Sequence, residues 1–249
     1  MRVIILSCFP LIDKLPYKNK VLKGLVERKP QDIALLYVKT KLLDYCNELK
    51  GKRELVSKLI KIRSSSPLRF EIKLFDAARE SGINVVMFKN FDIKCLRWLR
   101  DFRPDIIHNL TGLYIPRAVL KIPRYGVVGA HYADLPRIRG SDTIRWSILL
   151  DLPVVVSHMF LLPKLDLGDI LLKSPVEVRR GDNIEIIRRK CQEQNAMGHL
   201  RVYDMIKAGE LAPIKQREEE GSRFYRMGKF LRNKVDYLLS ECQYSHYVE

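Results

Sequence analysis

Two alternating patterns of apolar residues run along this chain. Arg2 to Cys8 and Asp32 to Val38 are short β-branched and aliphatic runs with little polar interruption, which predicts strands buried on both faces. Between them Lys14 to Arg28 fits a helix. The alternation resumes with a helix over Phe70 to Glu80 stopped at Ser81-Gly82, a strand over Asn84 to Phe88, a helix over Ile93 to Phe102 ending at Pro104, and a strand from Asp105 to His108. A short helix around Ala118, a strand over Gly126 to Ala130 and a helix over Thr143 to Leu150 follow. Val154 to Leu162 and Ile170 to Val178 read as strands able to pair antiparallel around Asp166-Leu167-Gly168-Asp169, and Asn183 to Lys207 as a long helix. Strands alternating with helices predict an α/β fold with a mostly parallel, Rossmann-like sheet and helices on both faces. Such sheets bind ligands beyond the carboxyl ends of their strands.

Two stretches depart from the alternation. Residues 39–69 carry nine Lys/Arg against three Asp/Glu, with leucines at helical spacing, and read as a basic helical insertion. Residues 213–249 mix charges with aromatic residues and read as a small C-terminal extension to a domain spanning 1–212, in which Gly221 to Gly228 could add a strand or meet a partner.

Composition narrows the function classes. The 45 Lys+Arg against 29 Asp+Glu give a net charge of +16, which concentrates anions such as phosphates, nucleotides or RNA without choosing among them. No apolar run approaches the roughly 20 residues needed to span a bilayer, so no membrane association is expected. The opening MRVIILSCFP reads as a buried strand rather than a signal peptide, which predicts a cytoplasmic protein. Its five scattered cysteines include no CxxC pair, so reduced thiols are expected and a zinc ribbon is not.

Several common chemistries have no motif here. No GxGxxG follows the first strand and no GxxxxGK[ST] occurs, so neither a dinucleotide site nor a P-loop is supported. The five histidines show no HExxH or other close pairing with acids, and no metal is expected. What does stand out is a strand running into Gly129-Ala130-His131, then Leu135-Pro136-Arg137-Ile138-Arg139-Gly140, and later Leu165-Asp166-Leu167-Gly168-Asp169. In that order the segments resemble the 10-formyltetrahydrofolate-dependent formyltransferases, whose pattern is Asn-x-His, SLLPxxRG and LDxGD or LDxGG. The family includes methionyl-tRNA formyltransferase, glycinamide ribonucleotide formyltransferase and the sugar N-formyltransferases. The resemblance runs from Met1 to about Pro213, interrupted by the basic insertion; Gly82 to Ile107 resembles the family's third and fourth strand region, and Leu113 to Gly140 the run into its active site.

The resemblance implies an N-formyltransferase that uses 10-formyltetrahydrofolate as formyl donor. Formyl transfer to an amine passes through a tetrahedral oxyanion, so the site needs a hydrogen-bond donor for that oxygen and a group to move the amine proton. By resemblance His131 is the proton shuttle and Asp166 the carboxylate that raises its pKa. The donor is implied to lie against the backbone of Thr111, Gly112, Leu113, Tyr114, Ile115 and Pro116, and of Leu162 to Asp166 with Leu165 among them, with Arg137, Arg139 and Asp142 bordering the acceptor. The chain departs from the pattern at Gly129, where the family has the Asn credited with stabilising the oxyanion. Losing one such donor costs about 3 to 4 kcal/mol of barrier. Asn109, at the end of the preceding strand, is the candidate replacement amide, although a strand-end Asn is ordinarily a turn residue. The Ser of SLLP is also replaced, by Ala133-Asp134.

Residues 213–249 are too few for the barrel of around a hundred residues that follows the catalytic domain in methionyl-tRNA formyltransferases, and their aromatic content is similar to that of sugar N-formyltransferases. The expected acceptor is therefore an anionic small molecule, a nucleotide-linked amino sugar, ahead of nucleic acid; a homodimer is left open. The rival readings are an impaired formyltransferase-like binding protein with an anionic or nucleic-acid partner, and a formyltetrahydrofolate hydrolase.

Overall fold

The computed structural model describes residues 1–9, 16–39, 74 and 77–248. Its elements are β1 (Arg2–Phe9), α1 (Pro16–Glu27), β2 (Asp32–Lys39), β3 (Asn84–Phe88), α2 (Ile93–Phe102), β4 (Ile106–Asn109), α3 (Arg117–Leu120), β5 (Gly126–His131), β6 (Ile138–Gly140), α4 (Thr143–Leu149), β7 (Val155–Phe160), β8 (Ile170–Pro175), α5 (Ile184–Ala208), β9 (Ser222–Phe224) and α6 (Lys229–Ser240). Leu74 and residues 77–80 are helical, within the helix expected over Phe70 to Glu80. The expected basic insertion, apart from Lys39 at the end of β2, lies outside the described residues. The chain divides into two compact units, Met1–Gly126 and Val127–Glu249.

The first unit holds four parallel strands in the order β3-β2-β1-β4. β1 and β2 run in full register from Arg2 beside Asp32, and Val3 to Leu6 and Ala34 to Val38 are all buried. That explains their nearly continuous apolar sequence, because a central parallel strand has no face left for water. α2 begins where Asp92 Oδ1 accepts from the backbone N–H groups of Lys94 and Cys95, both at 3.0 Å, and it stops at Arg103, which adopts a left-handed conformation with φ +51° before Pro104.

The second unit is built on the antiparallel order β5-β7-β8, as expected for the two strands around Asp166. α5 packs on β7 and β8 after an Asn183 N-cap, whose Oδ1 accepts from Ile186 N at 3.0 Å. No helix among the described residues is long and apolar enough to cross a membrane, and Cys8, Cys95, Cys191 and Cys242 are free thiols.

The tail is part of this unit's interior. Met227, Val235, Leu239 and Tyr244 are buried in one cluster with Ile148, Val156 and Ile187. Tyr244 donates its hydroxyl to Leu152 O at 2.8 Å. β9 supplies the strand anticipated near Gly221 to Gly228, pairing parallel with β6 in a separate two-stranded sheet. Neither β6, three residues long, nor α6 is predicted by the sequence pattern, because β6 is too short to show a period and the apolar stripe of α6 is diluted by charges. Truncating Leu239 to Ala should cost about 2 to 5 kcal/mol, as at a core site. Urea unfolding would read this, and a cost below about 1 kcal/mol would show that the tail is only an appendage.

Candidate active site

The chemistry candidates of the second unit converge at the end of β5. His131 is the last residue of that strand, in register with Ser157 on β7, and about a tenth of its side chain is exposed. Its Nε2 lies 3.2 Å from Ile138 O, which can only accept, so Nε2 carries the proton of that contact. Nδ1 lies 3.5 Å from Asp166 Oδ1. The second carboxylate oxygen, Oδ2, accepts from the backbone N–H of Gly140 at 3.0 Å. Asp166 thus ties the imidazole to the start of the following segment, and a proton arriving on Nδ1 is held against a carboxylate oxygen.

Backbone geometry explains why Asp166 reaches this position. It sits at φ +57° in the turn between β7 and β8, a left-handed conformation that Asp tolerates better than most residues. Two residues on, a Cβ on Gly168 would fall 1.5 Å from Phe160 O, so only glycine lets the turn lie this close to β7. This gives the LDxGD sequence a physical reason: the glycine permits the close approach that aims the aspartate.

The resemblance leads to the expectation that Asp166 raises the pKa of His131. It does push upward, as does the Ile138 carbonyl, but burial is the larger influence and holds the imidazole below its ordinary 6.5. The folded protein therefore carries His131 neutral at pH 7, as a base with its lone pair on Nδ1, rather than as a steady imidazolium.

The loop from His131 to Asp142 is fastened from several sides. Ser157 Oγ, fully buried, donates to Ala133 O at 2.7 Å and accepts from Leu135 N at 3.2 Å. Asp134 pairs with Lys173 at 2.7 Å. Thr143 Oγ1 donates to Tyr132 O at 2.8 Å, and Asn195 Nδ2 donates to the Tyr132 hydroxyl at 3.1 Å. The sequence motifs do not single out Ser157 or Asn195, yet a lone serine in the apolar run Val154 to Leu162 is a signal in retrospect, since a buried hydroxyl must find partners.

Two of the three residues assigned to the acceptor have other duties. Arg139 is 6% exposed, and its Nη2 donates to the carbonyls of Glu218 at 2.6 Å and Gly221 at 2.5 Å. Asp142 Oδ2 accepts from Met227 N at 2.9 Å and pairs with Arg232 at 3.2 Å. Both hold the tail, because a desolvated guanidinium or carboxylate is stable only when its partners come from the protein. Arg137 is exposed.

At position 129 the space for a larger side chain is taken. A Cβ there would meet Leu161 Cδ2 at 2.6 Å, so the family's Asn would fit only if Leu161 moved. In the first unit, Asn109 Oδ1 accepts from Thr111 N at 3.1 Å and from Thr111 Oγ1 at 2.7 Å. This is the turn role of a strand-end Asn, and it leaves the Nδ2 amide as the donor that the turn does not use. In the loop that follows, Ile115 is buried and Tyr114 is 57% exposed.

His158 packs as expected. It is fully buried, its Nε2 lies 3.0 Å from Asn195 O, the His199 ring meets it edge-on at 5.0 Å, and burial pulls its pKa down to about 4. Among the described residues no group of three or more His, Cys, Asp or Glu could hold a metal.

Replacing Asp166 with Asn removes the carboxylate that pushes His131 upward, so the His131 pKa should fall further below 6.5. NMR titration of the imidazole reads this directly, and a rise would mean that the pair is not electrostatically coupled. Gly140 has φ +103°, and a Cβ there would sit 2.0 Å from Phe224 O. Gly140→Ala should therefore destabilise the second unit by at least about 2 kcal/mol. A denaturation midpoint matching wild type would contradict the tight approach of β6 and β9.

Comparison with known proteins agrees with the motif reading. No protein-family model matches the chain. A methionyl-tRNA formyltransferase from Geobacillus sp. is 32% identical over 138 residues, covering 55% of this chain and 43% of that protein. The chain thus spans less than half the length of this curated relative. Among solved structures, the formyltransferase PseJ from Anoxybacillus kamchatkensis, in complex with UDP-4,6-dideoxy-4-formamido-L-AltNAc and tetrahydrofolate, aligns over 99% of this chain and 95% of its own with a TM-score of 0.53 and 14% identity. Glycinamide ribonucleotide transformylase 1 from Symbiobacterium toebii aligns over 87% and 94%, with a TM-score of 0.61 and 14% identity. The chain has the formyltransferase fold, and over 55% of its length its sequence is related to the methionyl-tRNA formyltransferases.

Proposed function

We propose that this chain is an N-formyltransferase that moves a formyl group from 10-formyltetrahydrofolate to the primary amine of a nucleotide-linked amino sugar. The observation that carries the reading is the contact of His131 with Asp166, brought about by the three motifs in family order. The donor supplies an activated formyl carbon. In this reading the new bond joins the amine nitrogen to that carbon, the bond from the carbon to folate N10 breaks, and one proton passes from the amine to N10. His131 Nδ1, neutral and basic at pH 7, is assigned that proton in transit, and Asp166 Oδ1 stabilises the imidazolium while it lasts.

The residues assigned to the donor suit a flat, largely apolar ring. In the second unit Leu162 and Leu165 are 47% and 54% exposed, an unusual degree for leucine and a ready apolar surface. In the first unit the assignment rests on Thr111, Gly112, Leu113, Tyr114 and Ile115, where the Tyr114 ring is open to solvent. Arg137, exposed and within the motif loop, is assigned to the anionic part of the acceptor; the net charge of +16 and the nucleotide-sugar bound to PseJ support that choice. Asn109 remains the proposed oxyanion donor through Nδ2.

One observation favours a second reading. Leu161 fills the place of the missing Asn side chain, which suits a formyltransferase-like protein that binds without turning over. The two readings separate in one experiment. A stable 10-formyltetrahydrofolate analogue should bind wild type and His131→Ala within a few-fold of each other, while His131→Ala lowers formyl transfer to an amino-sugar nucleotide by about 100- to 10,000-fold. Binding without turnover in wild type would favour the binding protein, consumption of donor without an acceptor would favour a hydrolase, and no binding by folded protein would sink the folate reading.

A further inference from the structure

The first unit carries a second concentration of chemistry that formyl transfer does not use. Between Ile93 and Tyr125 the chain has seven Lys and Arg residues against two Asp. Four of the cations converge. Arg100 from the last turn of α2, Arg103 at its cap, Lys121 just after α3 and Arg124 line a pocket of about 440 Å3, together with Pro104, Asp105 and Ile122. All four are exposed, and none has a carboxylate partner among the described residues.

The single carboxylate in the lining does not neutralise them. Asp105 Oδ2 accepts from the backbone N–H of Arg2 at 2.7 Å, in the turn where β1 and β4 begin. Arg124 contributes its own backbone N–H to Pro104 O at 3.1 Å, and its guanidinium lies 5.1 Å from the Tyr125 ring centre, which directs the side chain without cancelling its charge. The position is also distinctive. The pocket adjoins the amino-terminal ends of β1 and β4, whereas Asn109 and Thr111 mark the carboxyl end of β4, so within this unit it lies at the opposite edge from the loop assigned to the folate donor.

We propose that this pocket binds a small molecule bearing at least two linked phosphate groups, of the nucleoside di- or triphosphate or polyphosphate class. Three guanidinium forks and one ammonium in a single concavity leave uncompensated repulsion that a multivalent anion relieves. Arginine presents paired N–H donors that match phosphate oxygens. A lone carboxylate would satisfy only one of the three forks, and the volume is ample for a diphosphate. The walls from Pro104 and Ile122 add apolar surface for a group attached to the phosphates. The four cations gather around one shallow depression, a cluster that suits a small multivalent anion.

The alternative role for these cations is electrostatic support of the C-terminus of α2, where Arg100 and Arg103 face the negative end of the helix dipole. That role accounts for two of the four residues and leaves Lys121 and Arg124 without a reason to converge.

Inorganic pyrophosphate is the direct probe, titrated calorimetrically into the full chain at low and moderate salt. Wild type should bind it saturably, and affinity should fall as salt rises. Arg100→Gln/Arg124→Gln, both exposed and outside the proposed formyl-transfer machinery, should weaken binding at least about 10-fold, while His131→Ala leaves it unchanged. Matching melting temperatures would show that the double variant is folded, which keeps the result independent of the formyl-transfer reading. Pyrophosphate binding that survives the double variant, or its absence in wild type at millimolar concentration, would overturn the assignment. So would a short single-stranded RNA binding at least 10-fold more tightly than pyrophosphate and losing affinity in the same variant, which would make the surface a backbone-docking track.

Discussion

The second unit is organised around the approach of β9 to β6, two three-residue strands brought close enough that a single methyl group on Gly140 would collide with the carbonyl of Phe224. That contact fixes the segment from Pro136 to Asp142. The backbone N–H of Gly140 is aimed at Asp166 Oδ2, and the backbone of Ile138 is placed to receive the His131 ring. Arg139 and Asp142 then bind tail carbonyls and the Met227 N–H, so the charged residues of the motif loop serve as rivets. The loop beside the candidate catalytic pair is held by a segment about eighty residues further along the chain, which is why 213–249 behaves as part of the unit and not as an accessory.

Burial sets the chemistry of that pair. An imidazole beside a carboxylate in water would hold its proton more tightly than usual, yet enclosing His131 reverses the balance and leaves it neutral. A neutral imidazole can accept a proton at pH 7, so the same packing that straps the loop also selects the protonation state. His158, only a strand away in sequence, shows the limit of this effect: with no carboxylate beside it and full burial, its pKa drops to about 4 and it serves as packing between β7 and α5. The Asp166 contact is what distinguishes the surroundings of His131 from those of this core histidine.

Charge is distributed with similar economy. In the second unit Arg139, Arg217 and Arg232 are held by carbonyls or carboxylates of the protein, while Arg137 stays exposed. In the first unit, Arg100, Arg103, Lys121 and Arg124 gather at the amino-terminal edge with no such partners among the described residues. A net charge of +16 is therefore composed of cations that hold the fold together and cations that remain available to anions.

Most of the backbone was legible in the residues themselves. Apolar runs such as Val3 to Leu6 and Ala34 to Val38 read as strands buried on both faces, Asp92 and Asn183 mark helix starts by their capping chemistry, and the order His131, Leu135-Pro136, Asp166-Leu167-Gly168-Asp169 carries the resemblance to the formyltransferases. The residues at which expectation and structure parted are those whose role depends on distant partners. Arg139 and Asp142 look like ligand-facing charges until the tail arrives to bind them, the space beside Gly129 is filled by a leucine thirty-two residues away, and the His131 pKa is set by how completely the fold encloses the ring. Periodicity and short motifs are written in neighbouring residues, so the sequence determined the elements and the likeness to a family. Desolvation and partner choice arise only when remote segments meet, so the tertiary structure decided which of the charged residues hold the site together and which form of the histidine it contains.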